Sequence, residues 1–583
     1  MGFISKIFSK LGKAFRSRRA NCGEKVKGDS EKAELSGEFE KLQAAARRGE
    51  ASAQFNLGTM YENGEGLEQD YEKAVYWYER AAEQGNAKAQ YNLGEMYAKG
   101  DGVKQDYEKA TYWYLKSAEQ GNAKAQYNLG MMYDKGNGVE QDYEKAFNWY
   151  SKAAEQGDAY AQNSLGVMYA KGEGVKQDYE KAVYWYLKSA EQGDALAQCN
   201  LGMMYENGEG LERNYEKAFY WYSKSAEQGN ADAQFNLGLM YKNGDGVAQD
   251  YEKAVYWYKR AAEQGDAEAQ YKLGMLYANG SGVEQDYNKA AYWFEKSAEQ
   301  GNAYAQNSLG VMYAKGEGVK QDYEKAFNWY SKSADQGNTV AQFNLGLMYE
   351  KGEGVKQDYK KAAYWYLKSA EQGDAKAQNN LGVMYEKGEG VKQDYEKAAY
   401  WYLKSAEQGN AKAQNNLGWK YKDGEGVKQD YEKAAYWFEK SAKQGDADAC
   451  EALALLYESG LGVERDFEKA RYWNNMAKSE IRGESGGASY DFSGQLQKLL
   501  EPAKKGGAEA QYKLAELLYA DKILKDAKIF AYAFCVLARL NGDKLASKLI
   551  EKIGAELSNE QLKRAGDIAV SFERGDFSDF EKL

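Results

Sequence analysis

The 583-residue sequence contains no histidine. The side chain that titrates nearest neutral pH, which is also the commonest protein metal ligand, is therefore unavailable for general-base catalysis or metal binding. Proline occurs once, at Pro502, so the strongest helix breaker is almost missing. The four cysteines, Cys22, Cys199, Cys450 and Cys535, stand far apart with no CxxC spacing, which indicates neither a zinc site nor a disulfide framework. So few cysteines fit a reducing compartment best. No run approaches the roughly 20 apolar residues that a membrane span needs, so the body is expected to be soluble. Basic charge is short as well: the net charge is −11, and because the first twenty residues hold six cations and no acid, the rest sits near −17. An acidic body repels phosphate backbones, and nucleic acid is not expected as a partner.

Aromatic residues are plentiful at 14%, with 51 tyrosines. Their spacing settles the architecture. Twelve of the thirteen tryptophans, Trp77 to Trp473, fall at steps of 36 without a slip, and the glycine of an "LG" pair keeps the same step from Gly58 to Gly418. A fixed period of this size marks a stack of supersecondary units. One unit, residues 86–121, reads "NAKAQYNLGEMYAKGDGVKQDYEKATYWYLKSAEQG". Asn86 suits an N-cap, Ala89, Leu93, Met96 and Tyr97 recur at helical spacing, and Gly100 suits a left-handed helix end. After the Gly-x-Gly turn Val103 plugs the corner and Asp106 caps a second helix, with Ala110, Trp113, Ser117 and Ala118 on one face. Small residues at Ala89, Gly94, Ala110 and Ala118 allow close helix approach, and Trp113 with Tyr97 is expected to fill the remaining core. A hairpin this small cannot bury both apolar faces alone, so neighbours must stack.

These units resemble the Sel-one-like (SLR) repeats, relatives of the tetratricopeptide (TPR) repeat. The shared pattern is A-x-A-x-x-x-L-G-x-x-Y-x-x-G-x-G-V followed by D-Y-x-K-A-x-x-W-Y-x-K-S/A-A-x-x-G, present twelve times. The resemblance implies an all-α, right-handed α/α superhelical solenoid that binds other proteins, in settings such as endoplasmic-reticulum quality control, bacterial signalling or host interaction. Some bacterial relatives carry a cysteine pair in every repeat, which this chain lacks. The expected organisation is a basic amphipathic helix at 1–21, a linker and N-terminal capping helix at 22–49, twelve repeats at 50–481, a linker at 482–506, and a degenerate repeat with a capping helix at 507–583. In that degenerate copy Phe534 stands at the tryptophan position.

Catalytic motifs find little support. "GESGG", Gly483 to Gly487, matches a nucleophile elbow formally, but Ser485 has neither the strand-to-helix turn nor a histidine base and reads as linker. The loops such as "KGEGVKQDYEKA" from Lys171 place an acid between their glycines and Asp178 at the helix start, which opposes phosphate binding. Loops such as "DKGNGVEQD" from Asp134 lack the calcium-binding ligand order. No enzyme, cofactor or metal is expected. The alternative is an enzyme or enzyme-associated protein, because some bacterial relatives are linked to β-lactam or cell-wall chemistry.

Comparing the twelve copies leaves one first-helix face constant, as in Ala53, Gln54, Leu57, Gly58 and Tyr61, while a stripe at i, i+3, i+4 and i+7 changes. The i row runs from Ser52 through Lys88, Tyr160, Leu196, Asp232 and Tyr304 to Asp448. The i+3 row includes Phe55, Tyr91, Tyr127, Phe235, Tyr271 and Phe343. The i+4 row is rich in asparagine: Asn56, Asn92, Asn128, Asn236, Asn344 and Asn416. The i+7 row is apolar apart from Thr59 and Glu95, and carries Trp419 in the eleventh copy. The resemblance places this stripe in the concave groove of the superhelix. Asparagine amides can hold the backbone of an extended partner segment, and the aromatics offer anchoring area. Lys420, replacing a nearly constant methionine, predicts that the eleventh first helix meets more solvent or a different neighbour.

At the N-terminus Phe3, Ile4, Ile7, Phe8, Leu11 and Phe15 share one helical face while Lys6, Lys10 and Lys13 lie among the cations of the other. This is the pattern of an interfacial helix on an anionic membrane surface. The expected location is cytoplasmic with peripheral membrane attachment through residues 1–20; organelle targeting, or export as an effector, is the alternative.

Overall fold

The computed structural model describes residues 39–65, 67–481, 499–520, 526–578 and 580, and every regular element among them is helical. The chain divides after Asp322 into two compact units. The first unit holds a helix at 39–47, first helices from Ala51–Asn63 to Ala303–Lys315, and the second helices that alternate with them up to Tyr287–Glu299. The second unit continues the alternation from Tyr323–Asp335 to Phe467–Ile481, then carries a helix at 499–504 and helices Ala508–Ala520, Ala527–Leu540, Ala546–Gly554 and Asn559–Glu573. The basic segment 1–21, the residues of the first linker up to 38, and Ser485 with its surroundings lie outside the described residues.

Local chemistry explains each boundary. Asn86 Oδ1 accepts from the backbone N–H groups of Lys88 and Ala89 at 3.1 and 3.0 Å, capping Ala87–Lys99. That helix stops at Gly100, whose φ of 82° is the left-handed conformation a Cβ disfavours. Asp106 then accepts from Lys109 N–H at 3.0 Å and starts Tyr107–Glu119.

The two glycines of the loop do different work. Beside the helix-ending Gly100, Gly102 packs so tightly that an added Cβ would stand 2.3 Å from the carbonyl carbon of Tyr71. The second glycine thus seats each loop on the start of the preceding second helix, a role beyond the turn itself. Gly94 serves close approach in the helix interior, since a Cβ there would meet the Tyr114 ring at 2.7 Å.

One correction concerns the tryptophans. Tyr114 is buried against Gly94, whereas its neighbour Trp113 is only half-buried, with the exposed Tyr112 ring edge-on at 5.0 Å. Adjacent helical residues point about 100° apart, so only one of the pair can aim at the first helix. Of the twelve periodic tryptophans, Trp437 and Trp473 are buried. The others are edge packing, and the following tyrosine or phenylalanine is the core plug.

The junctions into the first eleven copies also carry a buried polar tie. Gln90 Nε2 donates to the carbonyl of Ala82 in the preceding second helix at 3.0 Å, and Gln90 Oε1 accepts from Gln120 Nε2 at 2.7 Å. Gln162 repeats this with Ala154 and Gln192, and Gln414 with Ala406 and Gln444. A buried amide satisfied at both ends fixes register, because a slip would orphan it. Gln54 makes the first bond to Ala46 at 3.1 Å, which places helix 39–47 where a second helix belongs. Past the regular array Gln511 donates to Ala503 and accepts from Asn541, both at 2.9 Å, keeping the tie in the degenerate copy. Phe534 is fully buried there, ringed by Phe572, Phe577 and Phe580.

A variable stripe on the first helices

The i+3 rings lie half-buried on the core plug of their own repeat. Phe55 rests on Tyr78, Tyr91 on Tyr114, Tyr127 on Tyr150, Phe235 on Tyr258, Tyr271 on Phe294 and Phe343 on Tyr366, all tilted. Two rings reach a neighbour as well: Tyr127 meets Tyr160 at 5.9 Å, and Tyr271 meets Tyr304 at 6.0 Å. Tyr160 and Tyr304 are 61% exposed, so the i row stands proud of the surface.

The asparagine row is partly committed inside the protein. Asn92 Nδ2 donates to Tyr78 Oη of the preceding repeat at 2.9 Å, and that hydroxyl in turn donates to Glu62. In the fifth copy the Tyr222 hydroxyl likewise donates to Glu206, at 2.6 Å. Burial first, and then the neighbouring Glu62, hold Tyr78 above the ordinary phenol range, so it stays a donor. Lys272 shows what the row does by breaking it. It pairs with Glu268 at 2.9 Å instead, and the buried Tyr258 hydroxyl beneath has no hydrogen-bond partner. Asn56 and Asn344 are half-buried, while Asn416 donates to Asn379 Oδ1 at 3.2 Å.

The eleventh copy is built differently. Asn415 holds the ring position, as asparagine also does in the fourth, eighth and tenth copies, but here Trp419, one turn on, packs edge-on against the core plug Phe438 at 5.4 Å while Lys422 Nζ sits 4.3 Å from its ring. Of the two expectations for Lys420, more solvent is overturned, and the side chain meets charged neighbours instead. Lys420 is 3% exposed and ion-paired to Glu386 of the tenth copy and, at 2.6 Å, to Glu425 of its own loop. Its long stem supplies the apolar bulk of the methionine it replaces, and its ammonium finds two carboxylates where a bare buried charge would be costly.

Between the first helices of the fifth and sixth copies lies a cavity of about 260 Å³. Leu196, Cys199, Met203 and Phe235 form its apolar lining, and Asn200, Asn230, Asp232 and Asn236 its polar one. Among the described residues no three His, Cys, Asp or Glu side chains gather as metal ligands, and no helix is long and apolar enough to cross a membrane.

The Sel1 repeat model matches twelve consecutive segments from 51–86 to 447–478 and a thirteenth at 508–535. The chain belongs to the Sel1 repeat family. Its resemblance to a solved structure is close in "c5321: a protective antigen present in uropathogenic Escherichia coli strains displaying an SLR fold", which is 41% identical over 76% of this chain and 95% of its own, with a TM-score of 0.67. A Sel1 repeat protein from Oxalobacter formigenes is 40% identical over 53% of this chain and 90% of its own, with a TM-score of 0.43. No curated protein matches the chain. The array is thus a helical solenoid of Sel1 repeats. The period alone does not reveal the glutamine tie or the cavity; the constancy of Gln54 and its equivalents was the available signal for the first, and Cys199, the one cysteine in a row of rings, asparagines and a glutamate, for the second.

Proposed function

We propose that this Sel1 repeat chain is a protein-interaction scaffold whose first-helix stripe holds an extended segment of a partner protein. One observation carries the reading. The large apolar side chains that remain exposed on the first helices are Tyr160, Leu196, Met203, Tyr304, Val340 and Leu455, and all of them fall on the varying rows. Exposed apolar side chains cost solubility and mark interaction surfaces when they line up. Half-buried rings already fixed on one face lose little entropy when a partner covers the other, which favours them as anchors.

The test is cross-linking and mass spectrometry of the full chain in cell extract, against a variant carrying Tyr160→Ser, Leu196→Ser and Tyr304→Ser. The expected result is partner cross-links beside the first helices that the variant loses while its melting curve is kept. An unchanged partner set, cross-linked to the second-helix face, overturns the reading. A second reading, peripheral attachment to an anionic membrane, is favoured by the segregation of Phe3, Ile7, Phe8 and Phe15 from Lys6, Lys10 and Lys13. Flotation on phosphatidylserine vesicles with and without residues 1–20 tests it, and equal flotation refutes it.

A further inference from the structure

Cys199 stands where the first, second, third, sixth, seventh and ninth copies carry a tyrosine or phenylalanine. Those rings cover the core plug of their own repeat; here the plug Tyr222 has only the small Sγ above it, in the same buried cluster. A cavity of about 260 Å³ opens beside this small side chain. It is smaller than the roughly 300–1,000 Å³ pockets that take small-molecule ligands, so a single side chain suits it better.

The walls and rim specify which side chain. Leu196, Met203 and Phe235 present aliphatic and aromatic surface, and no lysine or arginine lines the cavity. Asp232 stands exposed on its edge and forms no ion pair among the described residues. The row that Asp232 belongs to is basic in the second, third, tenth and eleventh copies, at Lys88, Lys124, Lys376 and Lys412. In the seventh copy Glu268 is acidic too, but Lys272 already neutralises it at 2.9 Å. Asp232 is thus the carboxylate left open beside an apolar slot. Such a combination fits a long aliphatic stem ending in a cation.

We propose that this cavity receives a lysine or arginine side chain of an extended partner segment, its methylenes against Leu196, Met203 and Phe235 and its cation at Asp232. The inference rests on the stripe being the partner-binding surface. Thiol chemistry at the same place is disfavoured: burial first, then the charges of Asp232 and Glu206, push the Cys199 thiol up to about 12.

The experiment selects random linear dodecapeptides on the full-length protein and measures the winners as fluorescent peptides. The expected winners carry a lysine or arginine at one fixed position. Replacing it by norleucine lowers affinity roughly tenfold on the wild type and less than about twofold on Asp232→Asn, so the two changes are coupled. Cys199→Phe, which puts the ring of the sixth copy's Phe235 at this position, removes the basic preference. If that variant misfolds, the exposed Asp232→Asn still decides. Winners that fail on a Tyr160→Ser, Tyr304→Ser variant but show no basic position overturn the cavity assignment and leave the stripe standing. Winners indifferent to all these variants, or none at all, overturn the stripe reading and this inference with it.

Discussion

Replacing Lys420 by methionine, the residue most copies hold there, should not weaken the protein at neutral pH. A buried ion pair exchanged for apolar packing is commonly neutral to stabilising by about 1–4 kcal/mol, because the desolvation of the charges is relieved. Here the partners Glu386 and Glu425 keep 32% and 44% of their side chains exposed, so neither is left as a buried, unpaired charge. The expected change for Lys420→Met near neutral pH lies between zero and a gain of about 2 kcal/mol. Lys420→Ala, which removes the stem as well, should cost about 2–4 kcal/mol through the void it leaves. The pH dependence has a definite sign. Burial pushes the lysine down, but the Glu386 and Glu425 carboxylates outweigh it and hold it above its ordinary 10.5. A cation raised in the folded state contributes stability that is fully present below the unfolded value and is lost as pH rises through the folded one. The advantage of Lys420→Met over wild type should therefore widen above 10.5. Urea is the denaturant of choice, since guanidinium salt screens the pairs. A long repeat array need not unfold in one step, so hydrogen exchange across Ala411–Asp423 should report the local opening energy. A loss above about 1 kcal/mol for Lys420→Met at neutral pH, or a gap to wild type that stays flat up to about pH 11, would refute the reasoning.

Other expectations follow from the same contacts. Gln162→Ala should cost about 1–3 kcal/mol by removing its bonds to Gln192 and to the Ala154 carbonyl, read as faster exchange in Ala159–Lys171, and a cycle with Gln192→Ala should show coupling. Exchange within error of wild type would dismiss the tie as a stabiliser. Gly130→Ala brings a Cβ to 2.7 Å from the Tyr150 ring, an overpacking of about 1–3 kcal/mol partly offset by better helix propensity. Gly138→Ala meets the Tyr107 carbonyl carbon at 2.2 Å with a φ of 67°, and should cost more than its partner in a urea comparison. Finally, the Cys199 thiol, pushed up to about 12, should resist iodoacetamide in the native protein and react once unfolded; fast native labelling would contradict its burial.

The period made the hairpins, the caps at Asn86 and Asp106 and the left-handed Gly100 legible in the sequence, because each is written locally and repeated. What the period could not tell was which of two adjacent aromatics faces inward, since Trp113 and Tyr114 recur with equal regularity and only the close approach at Gly94 selects the tyrosine. Nor could it show that Asn92 is already bonded to a phenol of the preceding copy, a contact 14 residues back that depends on how neighbours stack. Nor could it choose between solvent and a different neighbour for Lys420, whose two carboxylates come from another copy and from a loop.

The glutamine tie bears on how such a chain changes length. Each tie joins a side chain to a main-chain carbonyl eight residues before it, so the contact asks nothing of the identity of the neighbouring copy. If residues 159–194 were cut out and the chain rejoined, Gln198 would face the Ala154 carbonyl as Gln162 does now. Whole copies can be gained or lost without inventing a new seam, and the near-identical stretches at 159 and 303 are what such copying would leave behind. The seam changes at Cys450, where sulfur stands 3.8 Å from the Ala442 carbonyl in place of the glutamine amide, so a copy joined there would meet a weaker bond.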